Sequence, residues 1–266
     1  MTDTITTPAL STVTVNQDRL WESLMTLARV GAYGDAATGL VGVNRQSLTD
    51  ADRAGRELFV SWLEEAGLQV RVDQMGNIIG RRQGSDPGAA PVMAASHIDS
   101  VATAGAFDGC LGVLGALEVV RTLNEQHITT VRPIEIAALT EEEGVRFGTD
   151  KLGSAVAAGR LTLGYAYDLV DEAGLRFGDE LDRIGFRGDV DVDLPAPHAY
   201  VECHIEQGRC SRPRASRSGS SPGCRPSPGR RSRCMGGLRT PAPPRPSCGS
   251  TPVSPPRRSS ATSEPW

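Results

Sequence analysis

The sequence predicts an α/β protein, with a partly parallel mixed sheet flanked by helices and followed by a disordered tail. Apolar runs at residues 91–96 and 134–139 are typical of buried strands, and residues 199–205 are expected to form a last strand. A helical pattern over residues 108–126 separates the first two, and strand–helix–strand crossovers of this kind favour parallel pairing. Beyond Gly208 neither a helical nor a strand period is present. That segment has too few large apolar residues to offset the entropy of ordering it.

Two amphipathic helices are expected before these strands. The first covers residues 16–30 and stops at Gly31; its apolar face consists of Leu20, Trp21, Leu24, Leu27 and Ala28. Residues 31–48 are Gly-rich and predict irregular structure. Thr49 caps the second helix, Asp52 occupies the acidic position of a capping box, and Gly67 is a left-handed stop.

Shorter elements complete the expected fold. Residues 68–73 and 77–82 predict a hairpin, while residues 150–160 and 178–184 predict short helices. Ligands of open α/β sheets bind at the carboxyl ends of the strands. The polar motifs described below all follow predicted strand ends, so we expect them to meet at one edge of the sheet.

The charge of the chain changes sharply near Gly208. Residues 1–208 hold 31 acidic and 16 basic residues and sum to −15, whereas residues 209–266 hold 12 arginines and one acid and sum to +11. We therefore divide the chain into a flexible N-terminus (1–15), a folded domain (16–208) and a disordered Arg/Pro/Ser-rich tail (209–266). The abrupt change leads to the hypothesis that the tail is an out-of-frame translation.

The sequence also predicts a cytoplasmic protein that makes no contact with membranes. No apolar run approaches the ~20 residues of a membrane span. The polar N-terminus lacks the basic and apolar regions of a secretory signal. Cys110 and Cys203 are isolated in the first 208 residues, which does not suggest a disulfide framework.

The first chemical motif places His97, Asp99 and Asp108 directly after a predicted strand. A lone histidine there is more often a structural hydrogen-bonding group than a metal ligand. Asp99 favours the ligand, because a carboxylate two residues away can accept the second imidazole N–H and fix the tautomer. Asp108 begins a helix, where it could serve as an N-cap, a metal ligand or both.

Two further motifs follow the other strands. Glu141, Glu142 and Glu143 could form a solvated charge run, but an apolar strand precedes them and their mutual repulsion calls for cations or raised pKa values. Adjacent side chains point in different directions, so one glutamate could bind a metal while its neighbour acts as a general base. His204 lies near the end of the last predicted strand, and by itself is equally well explained as a structural strand histidine.

Taken in order, these motifs resemble the di-zinc aminoacylase/carboxypeptidase clan. Within the clan, T-E-E-E-G-x-R-F at residues 140–147 and H-I-E-Q-G at residues 204–208 resemble the branch of N-carbamoyl-L-amino-acid hydrolases, allantoate amidohydrolases and ureidopropionases. The segment D-x-x-G-N at residues 73–77 also fits this branch. The resemblance covers residues 16–208 and implies the N-terminal part of a di-zinc exopeptidase-like catalytic domain.

The resemblance implies two divalent metal ions, zinc by preference, with manganese, cobalt or nickel as substitutes. His97 and His204 correspond to ligands of the first metal, Asp108 to the carboxylate that bridges both metals, and Glu143 to a ligand of the second. The family supplies one more histidine to the second metal from a later segment. No histidine follows His204, so we expect the second site of this chain to be incomplete.

The implied reaction is hydrolysis of a linear C–N bond in an N-carbamoyl amino acid or a ureido acid such as allantoate, by a metal-activated water. Glu142 corresponds to the general base, Asp99 to the partner of His97, and Gln207 to a substrate-contacting amide. The family forms homodimers through a second domain that this sequence lacks, so we expect a truncated chain, whose activity stays open at this stage.

Three alternatives remain open at this stage. One is a dipeptidase or aminoacylase of the same clan, and another is a non-catalytic fragment. The third is nucleic-acid binding by the arginines of the tail, which we disfavour because Trp266 is its only aromatic residue available to stack on bases.

Overall fold

The computed structural model describes residues 13–194 and 196–205. The helices are α1 (Gln17–Arg29), α2 (Asp50–Glu65), α3 (Cys110–Glu125), α4 (Leu152–Ala157), α5 (Leu163–Asp168) and α6 (Phe177–Arg183). The strands are β1 (Ala32–Gly34), β2 (Val41–Val43), β3 (Gln69–Val72), β4 (Ile78–Arg82), β5 (Val92–Ser96), β6 (Ile134–Ala138) and β7 (Ala199–Val201). The expectations of a flexible N-terminus and a disordered tail fall almost entirely on residues outside the described ranges.

The main sheet is mixed, as the sequence predicts. Its five strands lie in the order β3-β4-β6-β5-β7. Strand β5 pairs in parallel with both β6 and β7, whereas β4 is antiparallel to β3 and to β6. Consequently the carboxyl ends of β5, β6 and β7 lie side by side at one edge of the sheet, which is where the three polar motifs begin.

The two long N-terminal helices follow from clear local signals. The Asn16 side chain accepts a hydrogen bond from Arg19 N at 3.0 Å, and the Thr49 hydroxyl accepts one from Asp52 N at 3.2 Å. In a capping box, the Asp52 carboxylate would accept a hydrogen bond from the backbone N–H of the cap residue Thr49. It accepts one from Leu48 N instead. Gly67 adopts the predicted left-handed conformation, with φ of 77°.

Helices α1, α2 and α3 cover one face of the sheet and form the largest apolar cluster with it. Leu27, Phe59, Leu63, Val113 and Leu117 are fully buried there. A second cluster joins α4, α5 and α6 to Met75. Trp21 is an exception to the predicted apolar face of α1, since it is 56% exposed, with its ring beside that of Phe107.

Four predictions of secondary structure need correction. The segment predicted as irregular (31–48) contains the antiparallel pair β1–β2, and helix α5 was not predicted. The last strand ends at Val201 rather than at residue 205, so His204 lies in the loop beyond it. The N-cap of α3 is Gly109 rather than Asp108.

Candidate metal centre

His97 is held rigidly at the carboxyl end of β5. Its ring is fully buried, and Nδ1 lies 2.9 Å from the backbone oxygen of Asp99. A carbonyl oxygen can only accept, so Nδ1 carries the proton and the Nε2 lone pair points away from that contact. Gly109 makes room for the ring, since a Cβ there would lie 2.5 Å from it.

His204 presents the same kind of nitrogen to the same space. Its Nδ1 lies 2.9 Å from the backbone oxygen of Ile205, which leaves the Nε2 lone pair directed toward His97. The two Nε2 atoms are 3.2 Å apart. Two facing lone pairs repel each other, so this arrangement is suited to a positive ion that both can bind.

Three carboxylates surround the two imidazoles. Asp108 Oδ1 lies 3.7 Å from His97 Nε2 and 3.4 Å from His204 Nε2, so one carboxylate oxygen is close to both imidazoles. Glu142 Oε2 lies 3.5 Å from His97 Nε2. The ligand atoms of His97, Asp108 and Glu143 lie within 4.8 Å of one another, and so do those of His97, Glu142 and His204.

The donor set fits divalent metal ions of the zinc type. Imidazole nitrogens and carboxylate oxygens are the ligands that such ions take. Within the described residues, the buried Oε1 atom of Glu143 has no hydrogen-bond partner. Burial, reinforced by the negative charge of Asp108, raises the pKa of the Glu143 carboxyl. A cation among these groups would relieve both the missing contact and the repulsion.

Asp99 acts differently from the sequence prediction. Its carboxylate lies 3.7 Å from His97 Nδ1, and the backbone oxygen of the same residue makes the closer contact. The carboxylate instead accepts hydrogen bonds from the backbone N–H groups of Glu142 at 3.4 Å and Glu143 at 3.3 Å. Asp99 therefore ties the loop after β6 to the loop after β5.

Glu141 is a structural member of the acidic triplet. It is 1% exposed, adopts a left-handed backbone with φ of 54°, and accepts a hydrogen bond from Phe147 N at 3.0 Å. Burial, together with the charge of Asp99, raises the pKa of Glu141 to about 7. Its unusual backbone reverses the chain, so that Glu142 and Glu143 turn toward His97.

The motif D-x-x-G-N supports the triplet from the turn between β3 and β4. Asp73 accepts from the backbone and the side chain of Asn77, whose Oδ1 in turn accepts from Thr140 N at 2.9 Å. A side chain at Gly153 would clash with Asn77 Oδ1 and with the backbone of Thr140. The conformation of the loop after β6 is thus fixed by a buried turn distant in sequence.

The structure therefore brings together five of the predicted metal and catalytic residues: His97, Asp108, Glu142, Glu143 and His204. Gln207 lies outside the described residues. Sequence reasoning missed Lys151, whose Nζ lies 3.3 Å from Glu142 Oε1. It is the only lysine in the chain, but nothing in its sequence context signals this contact.

Comparisons with known proteins identify relatives of this chain. The model of peptidase family M28 matches residues 77–173. An N-carbamoyl-L-amino-acid amidohydrolase of Rhizobium meliloti is 54% identical over 194 residues, which cover 73% of this chain and 45% of that protein. An allantoate deiminase of Glycine max is 35% identical over 199 residues, covering 70% of this chain and 40% of the relative. The N-terminal part of this chain belongs to this amidohydrolase branch.

The fold of the amidohydrolase branch is shared as well. The crystal structure of a hydantoinase/carbamoylase family amidase from Burkholderia ambifaria superposes with a TM-score of 0.70 at 47% identity. The match covers 74% of this chain and 47% of that amidase. This chain spans about half the length of the amidohydrolases it matches.

Proposed function

We propose that this protein is a metal-dependent amidohydrolase that cleaves a linear C–N bond of an N-carbamoyl amino acid or a ureido acid such as allantoate. The observation that carries the proposal is the pair of imidazole Nε2 atoms, 3.2 Å apart among the carboxylates of Asp108, Glu142 and Glu143. The relatives supply the substrate class, because their names specify N-carbamoyl-L-amino acids, allantoate and ureidoglycolate.

We further propose two divalent metal ions, zinc by preference. His97, Asp108 and His204 would hold one, and Asp108 with Glu143 would hold the other. When bound, the metals supply Lewis acidity that polarises a ureido carbonyl and lowers the pKa of the attacking water. The two Nδ1–H contacts to backbone carbonyls keep both imidazoles in the tautomer that such binding requires.

Glu142 is the proposed general base. One of its carboxylate oxygens lies 3.5 Å from His97 Nε2, and the other lies 3.3 Å from Lys151 Nζ. It accepts the proton of the attacking water and passes it to the leaving nitrogen. Asp99 keeps the backbone of Glu142 in place during this transfer, through its contacts to two N–H groups of the loop.

The remaining features of the proposal concern substrate and surroundings. Gln207 is proposed to contact the substrate, and the protein is proposed to act in the cytoplasm. Within the part of the chain that the structure describes, no helix is long and apolar enough to cross a membrane.

A substrate panel tests the reaction. Purified full chain with zinc, manganese or cobalt would be offered N-carbamoyl-L-amino acids and allantoate, with ammonia release as the readout. We expect turnover of at least one of these compounds and its loss in Glu142→Gln, which keeps the shape of the side chain but cannot take up a proton. Turnover in Glu142→Gln equal to that of the wild type would contradict the assigned base.

A peptidase or aminoacylase activity is the second candidate, because the matching family model is one of peptidases. Dipeptides and N-acetyl amino acids in the same panel separate the two. Faster cleavage of these compounds than of the N-carbamoyl and ureido compounds would favour the second candidate.

A further inference from the structure

Strand β7 stops pairing with β5 before it reaches the metal centre. The last paired residues are Ala94 and Val201, so the chain between Val201 and His204 has no ladder hydrogen bonds to fix it. His204 itself donates only to the neighbouring carbonyl of Ile205, a contact that moves with it. Something else must determine where this imidazole lies relative to His97.

The carboxylate of Glu202 bridges the two strand ends at this point. Ser96 Oγ donates to Glu202 Oε1 at 3.1 Å, and the Tyr200 hydroxyl donates to Glu202 Oε2 at 2.9 Å. Ser96 is buried and directly precedes His97. The bridge therefore joins the residue before one imidazole to a residue two positions before the other.

Helix α3 packs closely against the same two chain segments. A Cβ at Gly112 would lie 2.7 Å from Ser96 Cβ and 2.8 Å from the backbone oxygen of Cys203. Only a glycine lets the helix approach both strand ends so closely. Ser96, Glu202 and Gly112 thus define the path of the chain into His204.

We propose that Glu202 is a positioning residue that holds His204 opposite His97 by bridging Ser96 and Tyr200. The proposal rests on the proposed function, because positioning of His204 matters only if the two imidazoles share a metal. Glu202 does not reach the reacting atoms, and its effect is exerted through the geometry of the first metal site.

Metal titration of the full chain tests this role. Zinc affinity would be measured by calorimetry, and the visible spectrum of the cobalt-loaded protein would report the geometry of the ligands. We expect Glu202→Ala to weaken zinc binding about 10-fold or more, the usual effect of removing a group that orients a metal ligand. The cobalt spectrum should change with it.

Matched variants separate positioning from other effects. The amide of Glu202→Gln can accept a hydrogen bond from one hydroxyl and donate one to the other. We therefore expect this variant to keep most of the zinc affinity that Glu202→Ala loses. Tyr200→Phe removes one of the two hydrogen bonds to Glu202 and should cause a smaller loss of zinc affinity. Glu172→Ala, at an exposed glutamate in the loop between α5 and α6, should leave zinc binding unchanged.

The possible results are distinguishable. Unchanged affinity in Glu202→Ala would overturn the positioning role and leave the proposed function standing. An equal loss in Glu202→Gln would overturn the bridge and assign the effect to charge. A matching fall in the unfolding temperature of the metal-free Glu202→Ala protein would assign it to general stability. Failure of the wild type to bind zinc or cobalt would contradict the proposed function itself.

Discussion

At the scale of single residues, the site depends on a glycine that sequence patterns do not distinguish from its neighbours. Gly109 has φ of 62° and lies directly against the buried ring of His97. Gly115 is six residues further along the same helix, with open space where its Cβ would be. The structure therefore excludes a side chain at Gly109 and has room for one at Gly115, although both glycines lie in one Gly-rich segment.

Gly109→Ala is predicted to destabilise the protein and weaken metal binding. The left-handed backbone costs an alanine about 1–2 kcal/mol, and the clash with His97 adds to that cost. Urea unfolding of the metal-free protein and zinc titration measure the two effects. The control is Gly115→Ala, which should raise stability by up to about 1 kcal/mol because alanine favours helix. Equal effects of the two substitutions would contradict the packing described for His97.

Glu141 is predicted to make metal-free stability depend on pH. Its pKa is raised from the ordinary 4.5 to about 7, so the folded state binds the proton more tightly than the unfolded state. The resulting stabilisation is present below about pH 4.5 and is lost as the pH rises through about 7. Glu141→Gln cannot titrate, so it should remove this pH dependence of the free energy of unfolding. The dependence amounts to about 3 kcal/mol, because each difference of one in pKa is worth about 1.4 kcal/mol.

Chemical unfolding in the presence of a chelator, between pH 4.5 and 8, measures this contribution. The exposed Glu172 offers a matched control, because Glu172→Gln should leave the pH profile as it is. Identical slopes in the wild type and Glu141→Gln would contradict the burial of an ionisable group at Glu141.

At the scale of elements, the loop after β6 is supported by the turn between β3 and β4 rather than by its own sequence. Asn77 accepts from Thr140 N and donates to Asp73, and all three residues are buried. Arg56 adds a second link, since its guanidinium donates to Gly76 O and pairs with Asp52. The acidic triplet is therefore presented by two elements that carry none of the catalytic groups.

Asn77→Ala is predicted to loosen this loop. The substitution leaves the buried N–H of Thr140 without its acceptor, at a cost of about 1–3 kcal/mol. It also removes the side-chain hydrogen bond to Asp73, whose carboxylate keeps the backbone N–H groups of residues 75 and 77. Thermal unfolding and zinc affinity should both fall. Asn44→Ala is the control, because Asn44 is exposed and its side chain contacts only Gln46. A stability loss in Asn77→Ala no greater than that of Asn44→Ala would contradict the supporting role of the turn.

The elements that sequence patterns predict well are those with a strong period or a clear cap. Helices α1 and α2 fit their predicted bounds because caps at Asn16 and Thr49 coincide with amphipathic runs. The pair β1–β2 was missed because each strand has three residues and glycines interrupt the alternation. Likewise, the spacing of His97 and Asp99 cannot reveal that a backbone oxygen rather than the carboxylate binds the imidazole.

At the scale of the whole molecule, the metal centre is a consequence of sheet topology. Strands β6, β5 and β7 are parallel neighbours, so residues far apart in sequence leave the sheet at one edge. The sequence could predict this convergence, because three polar motifs follow three apolar runs. It could not predict the hydrogen bond from Ser96 to Glu202, which depends on where the pairing of β5 with β7 ends.

Zinc titration of His204→Ala tests the convergence most directly, because His204 is the proposed ligand farthest in sequence from the other proposed metal-binding residues. The account predicts that the full chain binds zinc and that His204→Ala weakens binding by about 100-fold or more, beyond the effect of losing an orienting group. His198→Ala, at an exposed histidine just before β7, should bind zinc as the wild type does. Zinc binding by His204→Ala equal to that of the wild type would contradict a shared site at the carboxyl ends of β5, β6 and β7.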